Sequence, residues 1–443
     1  MSESIVLVGR DERSLRTLAF VPNPRRHDIR SALPAALQTV VQNGFLEQVF
    51  RNALVPDFLF PAVADSDPWQ GRLGSQRTST RKGLLTPVTT PTTGSDSSVA
   101  TYGFEQWSVY MDQYSNSVQT DMLANVVELA SQYVADVQTL GINAGQSINQ
   151  IARNRLYRAY AGGRTWVSTT AGASTTIAVA DLAGFASKNV NGQPTPVSAS
   201  NPLSVTINGV ANTVTGVSAQ FGAGNLTVGT SVAVTAGQAV VAANAPISLR
   251  ANGNSAFDIG VNHTVTAALF RSAVARLRKM NVPTVNGNYV AHIDPDTEAQ
   301  LFADADFKQA YQGRGESQVF RDMSIGTFLG IDWVRNNETP TVTNPGGVVV
   351  HRPVVLGGGV LVNSPLQGQG QLLDSTGVAN VPNISMVEVA PGADVVLIVK
   401  PPQDNLQQKI TTTWSWTGDF GVPTDVLTGD AAQYKRAIVI EHA

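Results

Sequence analysis

Apolar residues recur at helical spacing in the second quarter of the chain. We expect Gly141 and Gly145 to interrupt this pattern, which continues on their C-terminal side. A stripe of this kind predicts a helix or helix pair of about forty residues within segment 118–165. The stripe consists of Met122, Val126, Leu129, Tyr133, Val137 and Leu140, widened by Leu123, Val127 and Val134, and it resumes at Ile148, Ile151 and Leu156.

A shorter helical pattern precedes it in segment 34–55, where AALQTVVQNGFLEQVFRNAL follows Pro34 and is interrupted near Gly44. Residues 1–33 are polar and rich in arginine. Pro22 and Pro24 argue against one continuous helix there, so we expect an extended arm.

Segment 56–117 has the pattern of a long β-excursion. A loop rich in Thr, Ser, Pro and Gly carries four cations before its first acid, Asp96, and leads into TYGFEQWSVYM. Apolar residues alternate there in two short registers, which predicts one long strand with a bulge. A two-stranded ribbon of this kind is marginal in isolation and needs a partner surface.

Segment 166–250 is nearly free of charge. Between Arg164 and Arg250 only Asp181 and Lys188 are charged, where simple proportion gives about twelve charges. Short Val/Thr/Ile runs separated by Gly-containing turns predict a small all-β module inserted between helical segments. Asn208-Gly209 marks a hairpin within it, and the scarcity of charge suits a compact barrel with a Thr/Ser/Asn/Gln surface, or one packed on a neighbouring subunit.

Segment 251–443 alternates helices and strands. NHTVTAALFRSAVARLRKMNVP predicts an amphipathic helix, NYVAHI a buried strand, and DPDTEAQLF a helix with Asp294 at the N-cap and Pro295 at the first helical position. FLGIDWVRNNET and YKRAIVIEHA are further strand candidates. The chain as a whole is predicted to be an α+β protein.

Composition narrows the function classes. A net charge of −3 gives no global basic field, so a dedicated nucleic-acid-binding domain is not expected. The absence of cysteine excludes disulfides, thiolate chemistry and Cys-based zinc sites. The N-terminal apolar run covers Ile5 to Val8, too short for a secretory signal, and no stretch has the length of a membrane span.

Catalytic patterns are weak. HIDPDTE is the only His–carboxylate cluster, and helix capping explains Asp294, Asp296 and Glu298 without a metal. The remaining histidines are scattered singly. The glycines of VLGGGVLV lack the spacing of a phosphate or dinucleotide loop and indicate a bulge or a tight turn. We therefore expect no enzyme activity, no catalytic residue, no metal and no cofactor.

Two stretches resemble the major capsid proteins of tailed bacteriophages, which have the Hong Kong 97-type fold. GFEQWSVYMDQYSNSVQTDMLANVVELASQYVADVQTLGINAGQSINQIARNRLYRAYAGG is similar to the loop return and spine helix of a podovirus-type branch. NYVAHIDPDTEAQLFADADFKQAYQGRGESQVFRDMSIGTFLGIDWVRNN is similar to that branch's strand, capped helix and Gly-containing strand. The inserted β-module departs from the minimal fold.

The resemblance implies six segments: an N-terminal arm (1–33), a helical segment (34–55), an extended loop (56–117), a spine helix of the peripheral domain (118–165), an inserted β-domain (166–250), and the remainder of the peripheral domain with the axial domain (251–443). It also implies subunit contacts. On the extended loop the contact residues would be Arg72, Arg77, Arg81 and Lys82, and on the arm Arg10, Arg13, Arg16, Arg25 and Arg26.

The implied function is that of a self-assembling icosahedral shell subunit, located in the virion and made in the host-cell cytoplasm. The implied partners are further copies in hexamers and pentamers, a separate scaffolding protein, a portal protein, packaged double-stranded DNA contacted non-specifically, and a decoration protein. No membrane is expected among the partners. The alternatives are an exported surface-layer or adhesin-like protein and, on HIDPDTE alone, a carbohydrate- or metal-dependent enzyme.

Overall fold

The structure, a computed structural model, describes residues 45–57, 59–69, 76–82, 85, 88–89, 96, 99–100, 104–121, 129–190, 193–312, 326–367, 383–390, 393–402, 404–406, 408–425 and 434–443. The predicted arm and the first part of the 34–55 helical segment lie outside these residues.

The described residues contain five α-helices and three short 3₁₀ turns. The helices are α1 (Phe45–Leu54), α2 (Leu129–Tyr160), α3 (Ala267–Lys279), α4 (Pro295–Ala303) and α5 (Ala305–Gln312). The 3₁₀ turns are Val55–Asp57, Pro61–Val63 and Ala256–Asp258.

Strands are more numerous than helices. The first twelve are β1 (Asp65–Ser66), β2 (Gln76–Lys82), β3 (Phe104–Tyr110), β4 (Asp112–Asp121), β5 (Arg164–Trp166), β6 (Ala171–Val179), β7 (Ser187–Val190), β8 (Gln193–Pro196), β9 (Leu203–Ile207), β10 (Val210–Val217), β11 (Gly224–Val234) and β12 (Ala239–Ala242). The others are β13 (Ser248–Arg250), β14 (Tyr289–Ile293), β15 (Thr327–Phe328), β16 (Ile331–Arg335), β17 (Thr341–Thr343), β18 (Val349–His351), β19 (Val354–Leu356), β20 (Val362–Pro365), β21 (Asn383–Ala390), β22 (Ala393–Lys400), β23 (Lys409–Gly421) and β24 (Ala437–Glu441).

One six-stranded sheet carries the long helix. Its strand order is β1-β20-β23-β22-β21, and β4 pairs along the free side of β23 from Asp121↔Lys409 to Asp112↔Gly418. Helix α2 lies on this sheet, which we call the helix-bearing sheet. Its buried stripe is Tyr133, Val137, Leu140, Ala144, Ile148, Ala152, Leu156 and Tyr160, each at most 1% exposed. Steps of three and four place all of these side chains on the face that meets the sheet.

Helix α2 runs without a break through Gly141 and Gly145, so the predicted interruption there is wrong. The reason is a close approach of helices. A Cβ on Gly141 would lie 2.7 Å from the Phe50 carbonyl oxygen and 2.9 Å from the Ala53 Cβ, both on α1. Gly141 therefore allows α1 to pack directly on α2.

The second six-stranded sheet is covered on both faces. Its order is β13-β24-β19-β14-β16-β15, with parallel pairs β13–β24 and β14–β16. Alternate residues of β14 enter two different cores: Tyr289, Ala291 and Ile293 pack with helices α3–α5, and Val290 packs in the core that contains α2. The predicted strands at NYVAHI and YKRAIVIEHA are confirmed, and both are fully buried.

The neutral segment forms a closed barrel. Its strands follow the order β5-β12-β9-β10-β11-β6, and an antiparallel bridge between Val167 and Val179 joins β6 back to the end of β5. Backbone bonds from Ser168 to Ala178 (3.0 Å) and from Ala180 to Trp166 (3.1 Å) complete the closure. The barrel encloses its own hydrophobic core, separate from the two larger cores of the chain.

Two sequence features of the barrel are explained by the structure. Asn208 and Gly209 both have positive φ (49° and 81°) in the two-residue turn between β9 and β10, which confirms the predicted hairpin. Both charges are used internally: Asp181 accepts from the backbone N–H groups of Ala183 and Gly222, and Lys188 donates to the Pro202 carbonyl.

Three predicted boundaries need correction. Residues 112–121, which the sequence divides between the extended loop and the spine helix, form β4 of the helix-bearing sheet, because the chain changes partners at Met111. The barrel begins at Arg164 rather than 166. Its last predicted residues, Ser248–Arg250, instead pair in parallel with β24 of the second sheet.

Candidate functional site: the extended ribbon

Strands β2 and β3 form an isolated two-stranded ribbon. They pair antiparallel in unbroken register from Gln76↔Tyr110 to Lys82↔Phe104. In the described residues β2 has β3 as its only strand partner, and its residues alternate between exposed and half-buried. Among the described residues the outer edge of β2 is therefore open, and its sequence is rich in Thr and Ser.

The inner face of the ribbon packs on the helix-bearing sheet. Glu105, Trp107 and Val109 alternate inward along β3 and are buried. Trp107 and Val109 share a small core with Trp69 and Val362. Contact with β23 is so close that a Cβ on Gly421 would lie 2.8 Å from the Trp107 ring.

Arg77 is bound within its own chain. Its Nη2 donates to both Asp67 carboxylate oxygens at 2.7 Å, and its Nη1 donates to the carbonyls of Asp67 (3.4 Å) and Pro68 (3.3 Å). The side chains of Arg77 and Asp67 remain 28% and 38% exposed. The pair therefore braces one end of the ribbon while staying open to a neighbouring surface.

Arg81 is also engaged within the chain. Its Nε lies 3.6 Å from Glu105 Oε1, and its guanidinium lies over the Trp107 ring at 5.4 Å from the centroid. Glu105 is 3% exposed, and burial raises the pKa of its carboxyl to about 7. Glu105 is not among the residues predicted from the sequence, although its place two residues before Trp107 puts it on the inward register of the strand.

The other predicted contact residues divide into two groups. Lys82 is exposed at the end of β2, opposite Phe104. Arg72 and the arm residues Arg10, Arg13, Arg16, Arg25 and Arg26 lie outside the described residues. Contact of all these residues with adjacent subunits stays a prediction.

Apolar side chains are exposed on and beside the ribbon. The exposed fractions are 41% for Phe104, 50% for Tyr110, 51% for Leu85, 83% for Val88 and 93% for Val99. Single exposed apolar residues are ordinary, but five within 26 residues of one excursion are typical of a surface that a partner covers.

The HIDPDTE cluster does not converge on one point. His292 points away from it, stacks on Phe60 with ring centroids 4.4 Å apart, and has its pKa lowered to about 3 by burial. Glu298 pairs with Arg335 at 2.7 Å. Asp294 occupies the predicted N-cap position of α4, but its side chain does not cap the backbone. It accepts hydrogen bonds from Thr297 and His351 instead.

Two histidines that the sequence treats as isolated meet beside Asp294. His351 and His442 stack with ring centroids 5.4 Å apart, and Thr297 Oγ1 lies 2.8 Å from His442 Nε2. Burial lowers the pKa of His442 to about 4, and the hydrogen bond to Asp294 raises the pKa of His351. No local sequence signal could have found this pairing, because strand pairing alone brings position 351 to position 442.

One ligand atom from each of Asp294, Asp296 and His351 lies within 4.8 Å of the other two. Both Asp294 oxygens are already engaged, one by Thr297 and the other by His351. A metal ion would therefore have to displace existing hydrogen bonds, and the arrangement supports structural linkage of α4 to the second sheet better than metal catalysis. Among the described residues, no helix is both long and apolar enough to cross a membrane.

No protein-family model matches the chain. No curated protein sequence matches it either. Three solved structures with a similar arrangement are phage capsids. The capsid of Ralstonia phage GP4 is 13% identical, with 86% of this chain and 87% of that chain covered and a TM-score of 0.46. The capsid of cyanophage P-SCSP1u is 10% identical, with 87% and 88% covered and a TM-score of 0.45. The capsid of cyanophage Pam1 is 12% identical, with 84% and 86% covered and a TM-score of 0.44. These TM-scores lie below 0.5, so the function is inferred below from the geometry of this chain.

Proposed function

We propose that this chain is a major capsid protein of a tailed bacteriophage, with a Hong Kong 97-type fold of the podovirus-type branch and an inserted β-barrel. The observation that carries the proposal is the ribbon. It has an open strand edge, exposed apolar side chains and two arginine side chains that are 28% and 30% exposed, all on a single chain. The inner face of the ribbon packs on its own chain, and in a closed shell a second copy of the chain would cover the open edge and the exposed apolar side chains.

The rest of the architecture agrees with this role. A 32-residue helix lying on a sheet gives a stiff body, and the second sheet with α3–α5 gives a separate core. In this proposal the helix-bearing sheet with α2 is the peripheral domain, and the second sheet with α3–α5 is the axial domain. The protein acts by assembly and not by catalysis, and its location is the virion after synthesis in the host-cell cytoplasm.

The partners follow as part of the same proposal. Copies of the chain form hexamers and pentamers, the arm arginines hold an adjacent subunit, and a scaffolding protein, a portal and a decoration protein complete the particle. Packaged double-stranded DNA is contacted without sequence specificity. The exported surface-layer alternative predicts mostly β structure throughout, and the five helices of the described residues, including the 32-residue α2, fit it less well.

The ribbon arginines give a direct test. Charge reversal in Arg77→Asp should reduce the yield of shells or rings, counted by negative-stain microscopy, because the ribbon loses a cation at the subunit contact. Since Arg77 also pairs with Asp67, the double variant Asp67→Arg/Arg77→Asp serves as the control, because it restores the pair within the chain.

If the double variant assembles as poorly as Arg77→Asp, the charge at position 77 acts between subunits, as proposed. If it assembles like the wild type, Arg77 acts only within its own chain and the assigned contact is wrong. Wild-type protein that stays monomeric under all assembly conditions, with its scaffolding partner supplied, would overturn the proposed function itself.

A further inference from the structure

The inner face of the ribbon buries a carboxyl group without adequate partners. Glu105 is 3% exposed, and among the described residues neither of its carboxylate oxygens receives a hydrogen bond. The nearest cation atom is Arg81 Nε at 3.6 Å, beyond hydrogen-bonding distance. A buried carboxylate in this state is costly when it is ionised and far less costly when it is protonated.

The surrounding charges do not compensate for it. Arg436 approaches from the segment before β24, but its Nε donates to Asp425 Oδ1 at 3.0 Å and its Nη1 to the Gly358 carbonyl at 2.9 Å. Arg81 is divided between Glu105 and the Trp107 ring. Asp425 itself adds negative charge near Glu105.

Gly359 shows how tightly these groups are assembled. A Cβ at this position, where φ is +70°, would lie 2.6 Å from Arg436 Nη1, 3.2 Å from Asp65 Oδ2 and 3.4 Å from Arg81 Nη2. Strand β1, the ribbon and the segment before β24 therefore meet at one charged junction. Its described members are three acids (Asp65, Glu105 and Asp425) and two arginines (Arg81 and Arg436).

We propose that Glu105 is a proton-controlled latch of the ribbon. In its protonated form it allows the inner face of β3 to stay packed on the helix-bearing sheet. In its ionised form it weakens that packing and lets the ribbon detach at its Trp107 side. This role goes beyond shell formation and does not require it, because the latch lies wholly within one chain.

The direction of the pH response follows from the two states. Burial, and next the nearby Asp425, raise the pKa of Glu105 from 4.5 to about 7 in the packed ribbon, against the opposite effect of Arg81 and Arg436. In a detached ribbon the carboxyl returns to its ordinary pKa. The packed state is therefore most stable below pH 4.5, becomes less stable as the pH rises from 4.5 to 7, and is least stable above pH 7. Each pH unit in this range changes the ratio of packed to detached ribbon about tenfold, which gives a total change on the order of a hundredfold.

Hydrogen exchange of the full chain in its unassembled form tests the latch. Peptides covering 76–82 and 104–110 are followed from pH 4.5 to 8.5 after correction for intrinsic exchange, and barrel peptides from 203–217 serve as the internal reference. In the wild type we expect ribbon protection to fall on the order of a hundredfold relative to the barrel. Glu105→Gln, a neutral isostere of the protonated side chain, should keep full protection at pH 8.5.

Asp112→Asn is the matched control, because Asp112 is an exposed acid at the start of the neighbouring strand β4. It should retain the wild-type response. Ribbon protection that does not change with pH in the wild type, or that falls in Glu105→Gln as it does in the wild type, would overturn the latch.

A second variant keeps the test decisive if Glu105→Gln does not fold. Asp425→Asn removes a negative charge near Glu105, so the midpoint of the wild-type transition should move to lower pH. A midpoint that stays in place, or a wild-type midpoint at the ordinary pKa of a glutamate, would assign the response to another group. Both outcomes refer to the ribbon alone, so they can be told apart from failure of shell assembly.

Discussion

Gly141 sets the distance between helices α1 and α2. It lies in the middle of α2, where a glycine costs about 1 kcal/mol relative to alanine in helix propensity. Its role becomes visible only in the packing, since the backbone of α1 occupies the place of a side chain. The sequence pattern predicts a helix break at this glycine, because a local pattern cannot distinguish a break from a close approach of two helices.

Gly141→Ala is expected to destabilise the protein although it improves helix propensity. The new methyl would meet the Phe50 carbonyl, which cannot move without shifting α1, and overpacking of this kind costs about 1–3 kcal/mol. Urea unfolding followed by circular dichroism measures the change. Gly172→Ala is the control, because a Cβ there meets nothing within 4 Å. An equal or higher stability of Gly141→Ala would show that α1 adjusts freely.

The residues of the candidate site were only partly predictable. Alternation along β3 indicated the inward positions of Trp107 and Val109, and Glu105 shares their register. The burial of Trp107 and Val109 depends on contacts with Trp69 and Val362 of β20, and the meeting of His351 with His442 likewise joins residues far apart in the sequence. Long-range strand pairing decides such contacts, and hydrophobic periodicity carries no information on it.

At the scale of elements, α2 and β23 form one unit. Three polar contacts follow the helix along the strand. Thr412 donates to the Tyr133 hydroxyl at 3.1 Å, Trp414 Nε1 donates to Asn143 Oδ1 at 3.1 Å, and Arg155 binds both Asp419 oxygens at 2.9 and 2.7 Å. These contacts fix the rotation and position of a helix whose apolar stripe would otherwise allow it to slide.

Arg155→Ala should lower the stability of the protein markedly, although it truncates only one side chain. The Asp419 side chain is 2% exposed, so its carboxylate would stay buried without its cation. We expect a loss of about 2 kcal/mol, below the range for fully buried pairs because Arg155 is one-third exposed. Adding Asp419→Asn to Arg155→Ala should restore part of the lost stability, because it removes the unpaired buried charge. Urea unfolding of the wild type, the two single variants and the double variant gives the coupling energy between the two residues. Strictly additive effects would contradict a stabilising pair.

Elements with strong local signals were predicted well. Helix α3, the strand at 289–293 and the Asn-Gly hairpin each follow from a few adjacent residues. The boundary at Met111 was not predicted, because it is set by a change of strand partner, from β2 for β3 to β23 for β4, which the local pattern does not report. Composition suggests closure of the barrel, but the strand order that closes it depends on pairings across up to 77 residues, as between Arg164 and Val241.

At the scale of the whole molecule, the barrel is a unit within a larger fold. Its core is self-contained, and its two ends meet: a Cβ on Gly163 would lie 3.0 Å from the Ala245 Cβ. Neither of the two large cores of the remaining chain contains a barrel residue, and the main apolar contact across the boundary is Trp166 against the small cluster of Ala256, Ile259 and Val350.

Deletion of 164–245, which joins Gly163 to Pro246, should therefore leave the remaining chain folded. Hydrogen exchange should show unchanged protection of α2, and calorimetry should show the loss of one unfolding transition. Val205→Asp is the control, since it should unfold the barrel by placing a charge in its core without shortening the chain. Loss of α2 protection in both variants would show that the barrel supports the rest of the fold.

The adjacency of Gly163 and Ala245 has a consequence for how such a chain changes over time. Where entry and exit points touch, a lineage can gain, lose or exchange a whole module at that position without re-routing any other segment. The same junction offers a place to graft a foreign domain or an antigenic peptide, displayed once on every copy of the protein.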